Sequence, residues 1–418
     1  MELYQSKLLS FRIFDIFNPS IADGSFKLTS FRETFTKTCL GMLLNGVYPG
    51  HQRVVSSIWL ITNYLLQTTA ISILLYTAVF DLKNGHYSDA TRQLSIFFLL
   101  VNMLIKMTNL WYHRKRTASL IDRLNYDYKK ANNEFNEVEQ NIIKKYVISG
   151  IFVQNVWCLM VGFVGSIFPV SAILIMTHSA FFDTVVTKRM AFYCLLPWLD
   201  EIKYDTPLFQ LFFVYELFLS ISCSLLYMGF DPLIPIFSLH ICGQLELVNE
   251  RLKKVFRKNI DILETRQRIS AIVEHLQEIY RYSEDVNTVS TSVYEAIFSS
   301  TPFLSTAAAF QTFSCLKTGQ LPYEFAFFFI ATVVHIFIPS YYGDLLLEKS
   351  LSVCQAVYDC NWECHADKSA CRTLSIVMLR AQRPLQLSTM FKPVSLMLFS
   401  EVCQQSWTIF NLLTAVFK

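Results

Sequence analysis

The feature that most constrains this chain is an uninterrupted run of 27 residues, 54–80, that contains no charged side chain. About 20 such residues, wound as a helix, cross the hydrocarbon core of a bilayer, where helices and closed barrels alone keep every backbone group hydrogen-bonded. Of the 418 residues, 53% are hydrophobic and 17% are charged, whereas an ordinary soluble domain is about one quarter charged. The sequence therefore predicts an all-α integral membrane protein whose surroundings are a lipid bilayer.

Further apolar stretches divide the chain into seven predicted transmembrane helices. Charged stretches of helical periodicity separate several of them, and we expect these to continue as helices in water. The predicted spans are 54–80, 91–112, 146–170, 207–247, 293–316, 324–347 and 393–418. The expected organisation is an N-terminal segment with an amphipathic or re-entrant helix (1–53), spans one to six with their helical extensions (54–347), an anchor helix with a linker (348–392) and the final span (393–418).

Basic residues indicate the orientation of these spans. Segments on the side of the N-terminus hold 28 Lys and Arg residues, and segments on the opposite side hold 7. Because basic residues concentrate in cytosolic loops, we expect the N-terminus in the cytosol and the C-terminus outside. This orientation is the reverse of that of a G-protein-coupled receptor. A G-protein-coupled receptor with seven spans and no pore is the alternative hypothesis. It is weakened further because no Asp-Arg-Tyr ends the third span and no Asn-Pro-x-x-Tyr lies in the seventh.

Composition and motifs exclude several other classes of protein. A net charge of +3 gives no reason to expect a nucleic-acid partner. The sequence shows no phosphate-binding loop, no Ser/His/Asp context and no paired catalytic carboxylates, so we expect no enzyme activity and no cofactor. A secondary transporter would show internal repeats or paired broken helices, whereas only the fourth span is interrupted, by Pro232 and Pro235.

The last span is unusually polar for a membrane helix, and polar groups in hydrocarbon are costly unless they face protein or water. Ile409, Leu413 and Phe417 follow one another at helical spacing, with Ser406 one turn before them on the same stripe. A polar stretch followed by an apolar ring suits a water-filled pathway with a hydrophobic constriction. A bundle helix that packs its polar side on its neighbours is the other interpretation. The polar residues are Glu401, Gln404, Gln405, Ser406, Thr408 and Asn411.

Residues 338–384 resemble the C-terminal region of insect odorant receptors. A second matching segment, His-Ile-Cys-Gly-Gln-Leu at 240–245, is similar to the end of the family's fourth helix, and Asp231 lies where many members have an acid. Asp344 departs from the Asn that the family pattern would place after Gly343. The resemblance is tight over roughly the last 180 residues and is limited to topology and length before them. The matching positions are Tyr342, Gly343, Leu346, Ser350, Tyr358, Trp362, Leu252 and the string Arg380-Ala381-Gln382-Arg383-Pro384.

This resemblance implies a heterotetrameric, ligand-gated cation channel in the plasma membrane of olfactory sensory neuron dendrites. The seventh helix of each subunit would line a central pore, with the narrow constriction at Leu413 and Phe417, and cytosolic helices would form an anchor where subunits meet. The chain lacks the cytosolic insertion that the shared co-receptor carries between helices four and five, so it resembles the odorant-binding subunit that partners the co-receptor. The implied anchor residues are Tyr358, Trp362, Arg380 and Arg383.

The resemblance also implies an odorant pocket among helices two, three, four and six, within 94–98, 154–164, 209–219 and 325–332. Small volatile ligands have few polar groups, so their affinity comes mainly from apolar contact, about 25 cal/mol per Å² buried. Glu216 would either accept a hydrogen bond from a ligand or bond, in its protonated form, to a neighbouring helix. The candidate ligand contacts are Leu94, Phe97, Phe98, Trp157, Met160, Val164, Phe212, Phe213, Tyr215, Glu216, Leu219, Phe329 and Thr332.

Histidine and cysteine side chains give weaker indications of a ligand contact, a metal site or a disulfide. His335 is interpreted as an interior histidine rather than as a ligand contact. Cys360, Cys364, His365 and Cys371 have no second pair at a spacing that would close a tetrahedral site, so we expect no metal there. A disulfide between Cys194 and Cys315 is a further hypothesis.

Overall fold

The computed structural model describes residues 27–49, 53–182, 187–192, 202–256, 262–317, 319, 323–364 and 367–416. These residues are almost entirely helical, as the run of apolar and charged stretches predicts. The helices are α1 (Phe31–Thr34), α2 (Thr36–Leu44), α3 (Arg53–Lys83), α4 (Tyr87–Tyr112), α5 (Arg114–Glu134), α6 (Glu137–Phe182), α7 (Leu208–Phe230), α8 (Leu233–Leu252), α9 (Ile262–Lys317), α10 (Tyr323–Tyr358), α11 (Lys368–Ala381) and α12 (Leu396–Val416), with a short 3₁₀ turn at Trp362–Cys364.

Length and composition identify five stretches of the described chain that could each cross a membrane. They agree with predicted spans one to four and six. The helices at the fifth and seventh predicted positions are α9, whose first half is charged, and α12, which carries the polar residues noted above. The five stretches are Ser56–Lys83, Tyr87–Tyr112, Glu137–Phe182, Leu208–Leu252 and Tyr323–Tyr358.

One predicted boundary is wrong, and one predicted interruption is confirmed. The third span was expected to end at 170, but α6 continues through Pro169 to Phe182. A proline inside a membrane helix is tolerated because side-chain hydroxyls and neighbouring helices supply the backbone with other partners. The interruption predicted in the fourth span is confirmed, since Asp231 and Pro232 separate α7 from α8.

The helix α8 forms the centre of the fold, and nearly all of its side chains are buried against α6, α9 and α10. Ion pairs join the charged ends of the long helices and the charged stretches that follow them. Arg251 Nε lies 2.9 Å from Glu139 Oε1, and Arg266 binds the Asp367 carboxylate through two hydrogen bonds of 2.8 Å. The extensions therefore form one packed helical unit.

Two glycines allow helices to pack very closely: Gly343 beside the start of α12, and Gly41 in the N-terminal helix α2. A Cβ atom on Gly343 of α10 would lie 2.2 Å from the Val394 carbonyl oxygen, immediately before α12. A Cβ on Gly41 of α2 would lie 2.4 Å from the Leu225 carbonyl oxygen of α7. Small residues of this kind let membrane helices approach one another backbone to backbone.

Candidate ligand cavity and pore helix

An apolar cavity of about 190 Å³ lies inside the bundle. Helices α3, α4, α6, α7, α9 and α10 form its wall, together with Met190 and Phe192 of the segment 187–192 and Lys203, which precedes α7. A cavity enclosed by aliphatic and aromatic side chains, with a few polar groups, has the usual composition of a small-molecule site.

Eight of the predicted ligand contacts line this cavity, and five do not. The five lie on other faces of their helices: Phe98 stacks on Phe303, Phe213 stacks on Phe209, and Phe329 is exposed. Those that line it are Trp157, Met160, Val164, Phe212, Tyr215, Glu216, Leu219 and Thr332; those that do not are Leu94, Phe97, Phe98, Phe213 and Phe329.

Helical periodicity explains this division. On α10 the cavity wall is made by Phe325, Phe328, Thr332 and His335, which recur every three or four residues. Phe329 is one residue from this stripe and thus about 100° around the helix. Selecting aromatic residues by type within each window therefore included neighbours that point elsewhere.

Several lining residues lie outside the predicted windows. Ala70, Ile73 and Leu74 come from α3, and Leu304 comes from α9. Small and aliphatic residues of this kind carry no distinctive signal in the sequence. They would be found only after the packing of α3 and α9 against the other helices was known.

Glu216 accepts hydrogen bonds from the backbone of the segment 187–192. Its Oε2 lies 2.8 Å from the Ala191 nitrogen and 3.1 Å from the Phe192 nitrogen. Neither interpretation from sequence, a ligand contact or a protonated acid bonded to a neighbouring helix, included this arrangement. Because Phe192 lines the cavity, Glu216 fixes one part of the cavity wall.

A cluster of charged side chains lies beside the cavity. Lys106, the one charged residue in the middle of the second predicted span, is fully buried, with Nζ 2.6 Å from Asp231 Oδ1 and 3.2 Å from His335 Nε2. A lone ammonium inside the bundle would be strongly unfavourable, so the Asp231 carboxylate stabilises it there. His335 belongs both to this cluster and to the cavity wall.

Helix α12 presents one face to the outside of the chain, and three of the four residues named on it here are polar. Gln404, Thr408, Asn411 and Ala415 are exposed and lie on one face. The predicted pore residues Ser406, Ile409 and Leu413 are only partly exposed and lie on the opposite face. Phe417 lies outside the described residues.

Ser406 contacts α9 directly. Ser305 Oγ donates a hydrogen bond to Ser406 Oγ at 2.8 Å, and Thr306 Oγ1 donates to the Ser406 carbonyl oxygen at 2.9 Å. For Ser406, these contacts agree with the other interpretation of the last span, in which a bundle helix packs its polar side on its neighbours.

The predicted anchor residues lie at the end of α10, in the 3₁₀ turn after it, and at and just after the end of α11. Tyr358, at the end of α10, is 66% exposed, and Arg383 is also exposed. Trp362 packs against the core, and the Arg380 guanidinium lies 4.1 Å from the centre of the Tyr280 ring. Tyr358 and Arg383 are thus the exposed members of the predicted anchor set.

The remaining cysteine hypotheses stay predictions. Cys194 and His365 lie outside the described residues, so neither the disulfide nor the full cysteine cluster is described. Within the part of the chain that the structure describes, no group of three His, Cys, Asp or Glu residues could hold a metal ion.

Comparison with known proteins identifies relatives of this chain. A family model described as 7tm Odorant receptor matches residues 86–406. Odorant receptor 67c of Drosophila melanogaster is 27% identical over 161 residues, which cover 38% of this chain and 36% of that receptor. Odorant receptor 13a of the same organism is 20% identical over 413 residues, which cover 92% of this chain and 96% of that receptor.

A solved structure shares the fold. The insect olfactory receptor OR5 from Machilis hrabei, in complex with eugenol, matches with a TM-score of 0.72 over 92% of this chain and 98% of that chain, at 15% identity. This likeness confirms the predicted seven-helix, all-α membrane fold. Because the family match extends over residues 86–406, well over half of the 418, the chain belongs to the insect odorant receptor family.

Proposed function

We propose that this chain is the odorant-binding subunit of a non-selective cation channel that it forms with the shared co-receptor. The observation that carries the proposal is the short path from cavity to pore helix. Leu304 lines the cavity, and the next two residues, Ser305 and Thr306, both donate hydrogen bonds to Ser406 of α12. A ligand that displaces α9 therefore also displaces α12.

The cavity suits a small volatile molecule. An engineered apolar cavity of about 150 Å³ in another protein binds benzene, so 190 Å³ holds a slightly larger molecule. OR5 of Machilis hrabei is solved in complex with eugenol, which supports a small organic ligand here. Ligand binding acts on gating only if the open state binds the ligand more tightly than the closed state does.

The exposed stripe of α12 supports a pore. Gln404, Thr408 and Asn411 would be costly in contact with lipid, so water in a shared pathway or other subunits must cover them. We place these residues on the pore side, which turns Leu413, on the opposite face of α12, away from the pore. The constriction at Leu413 and Phe417 that the family resemblance implies is the competing assignment.

Cysteine accessibility distinguishes the two faces of α12. We expect a charged thiol reagent to block current through Thr408→Cys channels and to leave Ile409→Cys channels unchanged. The two positions are adjacent in sequence but differ in exposure. Block at Ile409→Cys alone would place the predicted stripe on the pore and contradict our assignment.

The orientation is tested separately. We propose that the chain lies in the plasma membrane of a dendrite and that its N-terminus is in the cytosol. A tag before Met1 should be labelled only after permeabilisation, and a tag after Lys418 should be labelled on intact cells. The opposite labelling would favour the G-protein-coupled alternative.

The main experiment records current from cells that express the chain with and without the co-receptor, across an odorant panel. We expect an odorant-evoked cation current that needs both subunits and survives G-protein blockade. Leu219→Trp, which fills the cavity, should abolish the response, whereas Ile221→Trp, on a side chain that is 59% exposed, should retain it. Loss of current under G-protein blockade would overturn the channel proposal.

A further inference from the structure

The Lys106 ammonium has three partners in different directions. Besides Asp231 Oδ1 at 2.6 Å and His335 Nε2 at 3.2 Å, the ring centre of Tyr227 lies 3.5 Å away. These contacts tie α4, the junction of α7 and α8, and α10 together. An ammonium group donates three hydrogens and accepts none, so its hydrogens are all engaged.

The position of Lys106 determines which ring nitrogen of His335 carries the hydrogen. Because the ammonium only donates, Nε2 of His335 must accept the hydrogen bond at 3.2 Å. A second positive charge beside the ammonium is unfavourable, so the imidazole is neutral and its one hydrogen lies on Nδ1. Asp231 Oδ2 also lies near this nitrogen, at 3.4 Å, but the ammonium nitrogen at 3.2 Å is closer and determines the tautomer.

The ring of His335 lies in the cavity wall. Trp157 stacks on it with ring centres 5.4 Å apart, and the Trp157 indole nitrogen is itself held by the Tyr227 carbonyl oxygen at 3.0 Å. The ring is thus fixed in place by its neighbours. Within the described chain, its Nδ1 makes no hydrogen bond, so this hydrogen is available to a molecule in the cavity.

The hydroxyl groups of the cavity wall, in contrast, already donate to backbone carbonyl oxygens. Tyr215 donates to Leu66, and Tyr227 lies within 3.3 Å of the Leu99 oxygen. The side chains of Ser95, Ser220, Ser224 and Thr332 donate to Thr91, Gly165, Ser220 and Phe328 respectively.

We propose that His335 donates its Nδ1 hydrogen to an oxygen acceptor on the odorant, and that the cavity therefore selects small carbonyl compounds such as ketones, aldehydes and esters. A carbonyl oxygen accepts a hydrogen bond without bringing a donor of its own that would need a partner. The remainder of such a molecule is apolar, as is most of the cavity wall. The proposal rests on the proposed function only in that the ligand occupies this cavity.

The test measures binding to the purified full-length chain and uses an isosteric pair of probes, 2-heptanone and 2-methyl-1-heptene. The pair differs only in a carbonyl oxygen against a methylene group. We expect His335→Phe, which keeps an aromatic ring against Trp157, to raise the ratio of the ketone Kd to the alkene Kd about tenfold, the worth of one hydrogen bond. Comparing ratios cancels the different cost of removing each probe from water.

A conservative variant provides the control. His335→Asn places an amide N–H near the position of Nδ1 and should restore most of the wild-type ratio. A ratio within twofold of wild type in His335→Phe would overturn the proposal, as would an asparagine variant that behaves like the phenylalanine variant.

A measurement on the wild-type chain avoids any dependence on how the variants fold. The carbonyl stretch of bound, ¹³C-labelled 2-heptanone should lie at lower wavenumber than in hexane, because a hydrogen bond weakens the C=O bond. A stretch at the hexane position, or no binding of either probe, would overturn the proposal. Binding without current would contradict the channel proposal alone.

Discussion

The ammonium nitrogen of Lys106 and the Asp231 carboxylate form an ion pair of 2.6 Å inside the helix bundle, where their side chains are 0% and 9% exposed. Removing one partner leaves the other charge buried, at a cost of about 3–5 kcal/mol, whereas replacing both with apolar residues is often neutral or stabilising. The pair therefore contributes less to net stability than the loss of either member suggests.

We expect Lys106→Met to destabilise the receptor by about 3–5 kcal/mol and the double variant Lys106→Met/Asp231→Leu to recover most of that loss. The measurement is the unfolding temperature of the purified receptor, with surface expression as a second readout. A double variant that is less stable than Lys106→Met would show that the two charges do not act as a pair.

Adjacent aromatic residues on α7 test the cavity. Phe212 lines it, whereas Phe213 stacks on Phe209 with ring centres 5.9 Å apart. We expect Phe212→Ala to weaken the response to the best ligand tenfold or more, since burial of such a side chain is worth about 1.5–3 kcal/mol. Phe213→Ala should change the EC50 less than about threefold, and equal effects would show that the ligand lies elsewhere.

The fold was largely predictable from sequence because a membrane span is a long local pattern. The uncharged run 54–80 corresponds to α3, and the charged stretches correspond to the ends of α6, α9 and α10. The boundary at 170 was predicted wrongly because about 20 apolar residues already cross a bilayer, whereas α6 continues through Pro169 to Phe182.

The cavity was less predictable than the fold. The face that each helix turns to its neighbours depends on rotations that a residue type does not determine, so Phe212 and Phe213 looked equivalent. The partners of Lys106 lie 125 and 229 residues away in sequence, and the proton on His335 follows from their geometry. Long-range polar contacts of this kind have no local pattern.

Glu216 should determine the order of the segment 187–192. Its Oε2 holds the backbone nitrogens of Ala191 and Phe192. Glu216→Leu leaves both N–H groups without this acceptor, so we expect faster deuterium exchange at these two amides and weaker ligand binding. Glu216→Gln keeps an acceptor oxygen and should show a smaller change, while equal exchange in all three proteins would contradict this role.

Gly343 lies so close to Val394 that we expect no larger residue to be tolerated at position 343. A Cβ atom would lie 2.2 Å from a backbone oxygen that cannot rotate away, so Gly343→Ala must displace the start of α12. We expect reduced surface expression and altered basal current. Gly162→Ala is the matched control, because its Cβ would meet only the flexible end of Met228 at 3.4 Å. Normal expression and current in Gly343→Ala would show that α12 has room to move.

The last prediction concerns pH and His275, in the charged half of α9. Both of its ring nitrogens form hydrogen bonds in the neutral form. Nε2 donates to Gln244 Oε1 at 3.0 Å, and Nδ1 accepts from Arg251 Nη1 at 3.5 Å. Burial, together with the Arg251 guanidinium, lowers the pKa of His275 from its ordinary value of 6.5 to about 3. The other charged groups that act on it are Asp127, Lys130 and Arg123 of α5.

Because the folded pKa is lowered, the unfolded chain binds a proton that the folded chain does not, between about pH 6.5 and about pH 3. The stabilisation is therefore complete above about pH 6.5 and is lost as the pH falls toward 3, by up to about 1.4 kcal/mol per unit. We expect the unfolding temperature to fall more between pH 7.5 and 5.5 for the wild type than for His275→Gln, whose amide can still contact Gln244 but does not titrate. Equal falls in the two proteins would show that acid destabilisation of the anchor arises from other groups.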